Sequence, residues 1–277
     1  MPLSKAELED IQAEFMADDI AIDLDKMSLW TREQAATYFD SGGMKEPVSA
    51  PVALGRKPRI AILHGTAANE AIVKIQLAKL LTPLRERCDV FIVEGALTAR
   101  EESAETQVVR NHFGAKHVLR EYARATFDER QWRTYDDLDD SMARVESDIA
   151  ALSGGGGADV LIGFSQGANL ITCLCARGSY RAAVLLAPSN PGWAKQLAGA
   201  FAAPLTTPTI VGYSDTDAQV NNSGGCGPAN TARLYAPESV TILHHAGPGH
   251  RPLPREPADL QRVIDAVMAL VEGQCPM

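Results

Sequence analysis

The stretch DVLIGFSQGANLITCLCA, residues 159–176, joins a strand pattern to a helical pattern through one serine. Its first six residues form an apolar run, and its last nine are small or apolar residues with helical spacing. Ser165 stands between the two and is flanked by Gly163 and Gly167. The pattern G-x-S-x-G at a strand-to-helix turn is typical of a nucleophile elbow, in which the serine hydroxyl projects from the carboxyl edge of a sheet. A purely structural turn is the alternative, so the partners of Ser165 decide between the two.

The rest of the chain repeats this alternation of strand and helix. Five further apolar runs predict strands at 59–64, 89–95, 182–188, 209–213 and 240–245. Helical spacing is found at 71–84, 138–152, 168–178 and 258–273. Runs that are apolar throughout are typical of parallel strands covered by helices on both faces. The sequence therefore predicts an α/β domain over residues 58–277, with a doubly wound, mostly parallel sheet.

Two segments fall outside this alternation. Residues 1–50 contain two short helical patterns followed by a Gly-, Pro- and Ala-rich stretch, and we expect them to form an N-terminal helical extension or docking arm. Residues 97–136 form a connection longer than an α/β fold needs, and they are rich in charged and aromatic residues. Long insertions of this kind often serve as lids or substrate walls. We therefore expect a helical, lid-like insertion at 97–136.

Composition limits the classes of partner and the compartment. The chain of 277 residues has a formal net charge of −9, which disfavours binding to nucleic acid or to an anionic membrane surface. It has no apolar run of the roughly 20 residues that span a membrane, and no secretory signal pattern at its start. Its five cysteines form no CxxC pair, and no metal or nucleotide motif is present. We expect a cytoplasmic protein with reduced thiols, no metal and no cofactor.

A nucleophilic serine needs a base, and an acid to orient that base. Three histidines follow Ser165: His244 and His245 close an apolar run, whereas His250 lies in a loop among turn residues. A loop at the carboxyl edge is the position expected of the base, which favours His250 and leaves His245 a structural role. The acid is expected after the run 209–213, where Asp215 and Asp217 both occur. Their spacing alone leaves the choice between them open.

The tetrahedral intermediate of acyl transfer needs backbone N–H donors. One is expected from Gln166, directly after the serine, and the second from the loop after the first strand, at Thr66 or its neighbour Ala67. His64, just before the glycine of that loop, is expected to be a hydrogen-bonded, orienting residue rather than a base.

Four motifs together resemble the FSH family, the "family of serine hydrolases" of the α/β-hydrolase superfamily. They are RIAILHGTAANEAIVKIQLAKLL (59–81), DVLIGFSQGANLITCLCA (159–176), PTIVGYSDTDAQV (208–220) and HHAGPGHRPLP (244–254). The likeness covers about residues 58–272. When the segment that starts at Pro208 is aligned without a gap to the corresponding strand and loop of the family, Asp217 rather than Asp215 matches the family's catalytic acid.

The resemblance also implies a substrate class and candidate pocket residues. It implies hydrolysis of carboxylic esters or thioesters, here of small to medium acyl groups, through an acyl-enzyme. Ala67 stands where the family usually has a bulkier residue, which implies a wider acyl pocket. The family's acidic, aromatic stretch before a helix makes four aromatic residues candidates for the pocket wall: Tyr122, Phe127, Trp132 and Tyr135.

Two alternatives stand beside the hypothesis of a small-ester carboxylesterase or thioesterase. The first is a thioesterase that releases an acyl or polyketide chain from an acyl carrier protein, with the N-terminal arm as the docking element. The second is a binding protein that keeps the α/β-hydrolase fold without turnover. The complete set of serine, acid, base and oxyanion loop argues against the second, because a binding module does not need all four.

Overall fold

The structure is a computed structural model that describes residues 56–273, apart from residues 115, 131, 198, 215, 218–220, 223, 224 and 248. The predicted N-terminal arm, residues 1–50, and the alternative acid Asp215 lie outside the described residues.

The described chain contains both strands and helices from its first element to its last. In order, the elements are β1 (Arg59–Leu63), α1 (Glu70–Gln76), α2 (Ala78–Arg87), β2 (Asp89–Val93), β3 (Leu97–Thr98), α3 (Ala104–Phe113), β4 (Arg120–Glu121), β5 (Arg124–Phe127), β6 (Arg133–Asp136), α4 (Leu138–Leu152), β7 (Val160–Phe164), α5 (Gln166–Arg177), β8 (Ala182–Leu186), β9 (Thr209–Ser214), β10 (Asn221–Asn222), β11 (Gly225–Cys226), α6 (Gly227–Ala232), β12 (Val240–His245) and α7 (Pro257–Glu272). Short 3₁₀ turns lie at Gly192–Gln196 and Pro237–Ser239.

Six parallel strands form the central sheet in the order β12-β9-β8-β7-β1-β2. All six correspond to the apolar runs of the sequence, so the predicted parallel sheet is confirmed. The carboxyl ends of these strands meet at one edge, and the loops that follow β1, β7, β9 and β12 emerge there. These are the loops in which the sequence places the oxyanion donor, the nucleophile, the acid and the base.

Both faces of the sheet are buried, which explains why the strands are apolar throughout. Ala61 and Leu63 of β1 belong to a core cluster that includes residues of α4 and α5. Their neighbours Ile60 and Ile62 belong to a second cluster that includes residues of α2 and α7. Successive residues of a strand point to opposite faces, so each residue of β1 after Arg59 faces one of the two cores and has an apolar side chain.

Helix boundaries follow recognisable sequence signals. Asn69 caps α1 by accepting a hydrogen bond from the N–H of Ile72 over 3.0 Å. Helix α7 has a proline at its first position, where the missing N–H costs nothing, and it ends at Gly273 with φ 78°. The helices predicted at 138–152, 168–178 and 258–273 are confirmed, and that predicted at 71–84 is divided into α1 and α2.

The insertion at 97–136 is less helical than the sequence suggests. It contains the helix α3, but also four short strands, of which β3 pairs with β4 and β5 pairs with β6. The expectation of a helical insertion was therefore only partly right, because strands of two to four residues are too short to give a periodic pattern. Its role as a lid stays a prediction.

Candidate active site

Ser165 is the residue between the end of β7 and the start of α5. Its backbone angles are φ 52° and ψ −112°, outside the regions that a non-glycine residue ordinarily adopts. Its N–H donates to the carbonyl of Leu186, at the end of the neighbouring strand β8, over 2.8 Å. Strain of this kind persists where the surrounding structure holds it, and it concentrates at functional sites. The predicted sharp turn is present, with Ser165 partly buried at the carboxyl edge of the sheet.

The two glycines of the pentapeptide allow close backbone contacts around the serine. A Cβ on Gly163 would lie 2.6 Å from the carbonyl carbon of Gly167. A Cβ on Gly167 would lie 2.5 Å from the carbonyl oxygen of Leu63. Both distances are far shorter than the roughly 3.5 Å at which carbon atoms meet favourably. A side chain at Gly163 would force β7 away from the start of α5, and one at Gly167 would force α5 away from β1.

His250 and Asp217 form a partly buried pair at the same edge. The imidazole Nδ1 of His250 lies 2.6 Å from Oδ2 of Asp217, and their side chains are 14% and 1% exposed. Since a carboxylate accepts, Nδ1 carries the proton and Nε2 keeps its lone pair. Nε2 is buried and has no hydrogen-bond partner within the described part of the chain. The ring is thus fixed in the tautomer that accepts a proton at Nε2.

The loops that carry these two residues are tied to each other. The hydroxyl groups of Ser214 and Thr216 both donate to the carbonyl of Gly247, over 2.5 and 3.0 Å. The N–H of Asp217 donates to the carbonyl of Ser214 over 3.2 Å. The carboxylate and the imidazole are therefore held in register by bonds on the loops behind them as well as by their own contact. Sequence reasoning missed the two hydroxyl groups.

Phe164 contacts both the base and the loop after β1. Its ring centroid lies 4.7 Å from that of His250, with the ring planes tilted by 33°. On its other side, a Cβ on Gly65 would lie 2.9 Å from Cδ1 of Phe164 and 3.4 Å from Cβ of Ser165. Gly65 is therefore required where the loop after β1 passes the serine. The sequence placed Phe164 in a strand and gave no signal for this second role beyond its position next to the serine.

The predicted oxyanion loop lies against the serine through Gly65. Thr66 follows it, and its hydroxyl is buried without a hydrogen-bond partner in the described ranges. Ala67 adopts φ 56° and is fully buried in an apolar cluster with Ala68 and Ile72. The other predicted donor, Gln166, is the first residue of α5, where backbone N–H groups have no partner inside the helix.

The side chain of Gln166 connects the elbow to the insertion. It is fully buried; its Oε1 accepts from the N–H of Tyr122 over 2.8 Å, and its Nε2 donates to the carbonyl of Ala123 over 2.9 Å. Both the oxygen and the nitrogen of the side-chain amide thereby fix Gln166, the residue expected to present a backbone N–H to the oxyanion. The sequence suggested only the backbone role of this residue.

Two of the four aromatic pocket candidates lie in the protein core. Tyr122 is 2% exposed; its hydroxyl accepts from the N–H of His64 and donates to the carbonyl of Val93. Tyr135 is 1% exposed, and its hydroxyl accepts from the side-chain amide of Asn169. Both rings are packed in the core and both hydroxyl groups are bonded within the protein, and Tyr135 also lines a cavity with Leu138 and Gln196. The role of Tyr122 and Tyr135 as a pocket wall stays a prediction.

The other two candidates lie on or beside the hairpin formed by β5 and β6. Phe127 is 53% exposed, with the guanidinium of Arg133 5.3 Å from its ring centroid. Trp132 is partly buried, with the guanidinium of Arg130 5.2 Å from its ring centroid. Cation–π contacts of this kind orient an exposed ring. Their role in substrate binding, like that of Ala67, stays a prediction.

His64 is an orienting residue, as expected. It is fully buried and stacks on Tyr122 at 4.5 Å. Nε2 accepts from the N–H of Gly95 over 2.9 Å, and Nδ1 lies 2.7 Å from the carbonyl of Gly65. Nδ1 therefore carries the proton and the ring is neutral, since burial lowers the pKa of His64 to about 4. This imidazole holds the loop after β1 and is bonded at both nitrogens.

The remaining titratable groups near the sheet have structural contacts. His245 is 5% exposed and its Nδ1 lies 3.3 Å from the carbonyl of Ala246. The described residues include four cysteines, all of them free thiols: Cys88, Cys173, Cys175 and Cys226. Burial raises the pKa of Cys175 to about 12, so this thiol stays protonated at neutral pH.

Among the described residues, no group of three or more His, Cys, Asp or Glu side chains is arranged to hold a metal ion. None of the helices in that part of the chain has the length and apolarity needed to cross a membrane.

Comparison with known proteins gives the class and the family of this chain. Among solved structures, Arabidopsis thaliana SOBER1 matches with a TM-score of 0.53 at 14% identity, over 78% of this chain and all of that one. Acyl-protein thioesterase 2 of Zea mays matches with a TM-score of 0.53 at 19% identity, over 79% of this chain and 96% of that one. Esterase PE8 matches with a TM-score of 0.53 at 16% identity, over 78% and 93% of the two chains. Likenesses at this identity show the fold, which is that of the α/β hydrolases.

The family follows from the sequence itself. The model of the FSH1 serine hydrolase family matches residues 53–250, which is most of the chain. The protein therefore belongs to this family of serine hydrolases, and the resemblance drawn from the four motifs is confirmed. A search of curated protein sequences finds no match.

Proposed function

We propose that the protein hydrolyses carboxylic esters or thioesters of small to medium acyl groups, with Ser165, His250 and Asp217 as its catalytic triad. One observation carries the assignment. His250 is bonded to Asp217 through Nδ1, whereas its Nε2 is buried without a partner in the described chain, and its ring contacts Phe164, the residue before the serine. An unpaired buried nitrogen, on a ring that contacts the residue before a strained serine, is the arrangement expected of a general base awaiting a hydroxyl proton.

The proposed reaction has two halves. In the first, Oγ of Ser165 attacks the carbonyl carbon and its proton passes to Nε2 of His250. The tetrahedral intermediate then breaks the bond to the alcohol or thiol, which leaves with that proton, and the acyl group stays on the serine. In the second half, water attacks the acyl-enzyme, its proton passes to Nε2 and then to Oγ, and the carboxylic acid departs. Asp217 stays ionised throughout and stabilises the imidazolium.

The negative oxygen of each tetrahedral intermediate needs donors that are already in position. We assign the backbone N–H groups of Gln166 and Thr66. In support, the side-chain amide of Gln166 fixes that residue through two buried hydrogen bonds. Gly65 brings the loop of Thr66 against Ser165. Each such donor contributes on the order of 100- to 1,000-fold to kcat in enzymes that form an acyl-enzyme.

The proposal is tested with p-nitrophenyl butyrate and a butanoyl thioester as substrates. Ser165→Ala is expected to lower kcat by roughly 10⁴-fold or more on both, because nucleophilic attack is lost. Ser239→Ala is the matched control, since Ser239 is also partly buried but lies before β12, at the opposite end of that strand from the base loop. Turnover of both substrates at the wild-type rate by Ser165→Ala, with the fold intact, would refute the assignment.

A carrier-bound acyl chain is the narrower form of the same proposal, with the N-terminal arm as docking element. The arm lies outside the described residues, so this form depends on a separate measurement. Deletion of residues 1–45 is expected to slow turnover of an acyl chain on a carrier protein while sparing p-nitrophenyl butyrate. Equal effects on the two substrates would remove the docking role. We further propose a cytoplasmic location, in keeping with four free thiols.

A further inference from the structure

Arg251 is a cation for which the described part of the chain provides no anionic partner. It directly follows His250, it is partly buried, and its Nε has no hydrogen-bond partner in the described part of the chain. Nor does any hydrogen bond or ion pair join its guanidinium to another described residue. Burial lowers the pKa of Arg251, and the charge of the exposed Arg255 lowers it further. Two positive groups therefore lie near each other on the loop that carries the base.

Several described arginines have no carboxylate partner, but Arg251 combines this with a buried Nε and with no hydrogen bond from its guanidinium to any described residue. The sequence has 35 acidic residues against 26 lysines and arginines, so carboxylates are in excess. Seven other arginines have carboxylate partners: Arg56, Arg87, Arg110, Arg124, Arg133, Arg177 and Arg262. A guanidinium that is partly removed from water and left unpaired is disfavoured, and a bound anion would offset that cost.

The position of the guanidinium ties it to the catalytic site. A Cβ on Gly249 would lie 3.4 Å from Nη2 of Arg251 and 4.0 Å from its Nε. The cation thus folds back over the backbone of the residue that precedes His250. Since neighbouring Cα atoms are about 3.8 Å apart and the histidine side chain adds about 4 Å, the guanidinium lies within about 13 Å of the imidazole. A substrate whose carbonyl is at Ser165 spans a distance within this limit when several atoms separate the carbonyl from an anionic group.

We propose that Arg251, with Arg255 beside it, binds an anionic group of the substrate, a carboxylate or a phosphate several atoms from the scissile carbonyl. The inference rests on the proposed hydrolase function and adds a substrate class to it. A guanidinium fits both groups because its N–H donors match two oxygens at once. The anion belongs either to the far end of the acyl chain or to the leaving group, and the two sources are separable by experiment.

Two pairs of substrates distinguish the sources. For the acyl chain, mono-p-nitrophenyl glutarate is compared with its neutral methyl ester. For the leaving group, the butanoyl thioester of 3-mercaptopropionate is compared with that of 3-mercaptopropionamide. The measured quantity is the ratio of kcat/KM for the anionic substrate to kcat/KM for its neutral partner. Because each ratio is taken within one protein, losses in folding or in the chemical step cancel.

In the wild type we expect the anionic substrate of one pair to be favoured. Arg251→Gln is expected to lower that ratio by about 10- to 100-fold, the range of a charge-assisted bidentate pair. Arg251→Lys keeps the charge but loses the paired N–H donors of the guanidinium. Its ratio is therefore expected to lie between that of the wild type and that of Arg251→Gln. Arg144→Gln removes a charge from an exposed position on α4 and is expected to leave both ratios unchanged.

Each outcome bears on a different claim. Ratios that are the same in wild type, Arg251→Gln and Arg251→Lys, on both pairs, would overturn the anion site while leaving the hydrolase intact. If Arg251→Gln does not fold, Arg251→Lys decides in its place. Failure of the wild type to hydrolyse either the neutral or the anionic substrates would refute the proposed function, and the inference with it.

Discussion

Replacing Gln166 with methionine tests whether its side chain holds the elbow to the insertion. Methionine is close in size and shape but has no amide group. The change leaves the N–H of Tyr122 and the carbonyl of Ala123 without their partners, at positions that are 2% and 0% exposed. Each buried backbone group left unpaired costs about 1–3 kcal/mol, so the free energy of unfolding is expected to fall by about 2–6 kcal/mol. That is a large fraction of the roughly 5–15 kcal/mol typical of a domain.

Urea unfolding followed by far-UV circular dichroism measures this difference. The matched control is Gln261→Met on α7, where the side chain is exposed and, among the described residues, bonds only to Asp265 one turn away. Such a pair contributes about 0.2–0.5 kcal/mol, so the control is expected to unfold almost as the wild type does. A free energy of unfolding for Gln166→Met within 0.5 kcal/mol of the control would show that the two buried bonds do not hold the elbow.

Three further predictions concern pH, packing and catalysis. The pKa of His64 is about 4 in the folded protein and 6.5 in the unfolded chain. The neutral ring therefore stabilises the fold fully above pH 6.5, and this stabilisation is lost as the pH falls towards 4. Between pH 7.5 and pH 5, the free energy of unfolding should fall by about 2 kcal/mol more in wild type than in His64→Gln. Gly167→Ala places a Cβ 2.5 Å from the carbonyl oxygen of Leu63, so it should lower the urea midpoint strongly or prevent folding. Asp217→Asn should lower kcat on p-nitrophenyl butyrate by about 10⁴-fold, because the amide no longer holds His250 with its proton on Nδ1.

Each of the three has a control or a contradicting result. Equal pH dependence in wild type and His64→Gln would mean that this imidazole is not the neutral buried group described above. Gly178→Ala adds a Cβ at an ordinary 3.5 Å from the nearest atom, so it should be tolerated where Gly167→Ala is not. An Asp217→Asn variant that keeps wild-type kcat would transfer the acid role to another residue, with Asp215 the first candidate.

The fold was predictable because its strands are short, apolar on both faces and separated by amphipathic helices. The run 159–164 corresponds to β7 and the pattern 138–152 to α4. A strand buried on both faces is apolar at every position, and a helix packed on one face has apolar residues at helical spacing, so both are visible in the sequence. The order of serine, aspartate and histidine was readable for a related reason. The loops at one edge of a parallel sheet directly follow its strands in the sequence. Residues placed just after successive strands are therefore predicted to meet at that edge.

What the sequence did not reveal depends on contacts between distant residues. Strand β3 pairs with β4 through Leu97 and Glu121, and neither strand exceeds two residues, so no pattern announces them. Tyr122 looked like a pocket residue because an aromatic ring in a polar insertion serves equally well as wall or as core. Only its hydrogen bonds to the backbone of His64 and Val93 assign it to the core.

The most direct test of the central claim is the site at which a fluorophosphonate probe attaches. We expect one adduct per chain, located by mass spectrometry on Ser165, with loss of esterase activity in proportion to labelling. His250→Ala should label far more slowly, because Oγ then has no base, while Ser239→Ala should label like the wild type. An adduct on any other residue, or undiminished labelling of Ser165→Ala, would contradict the account.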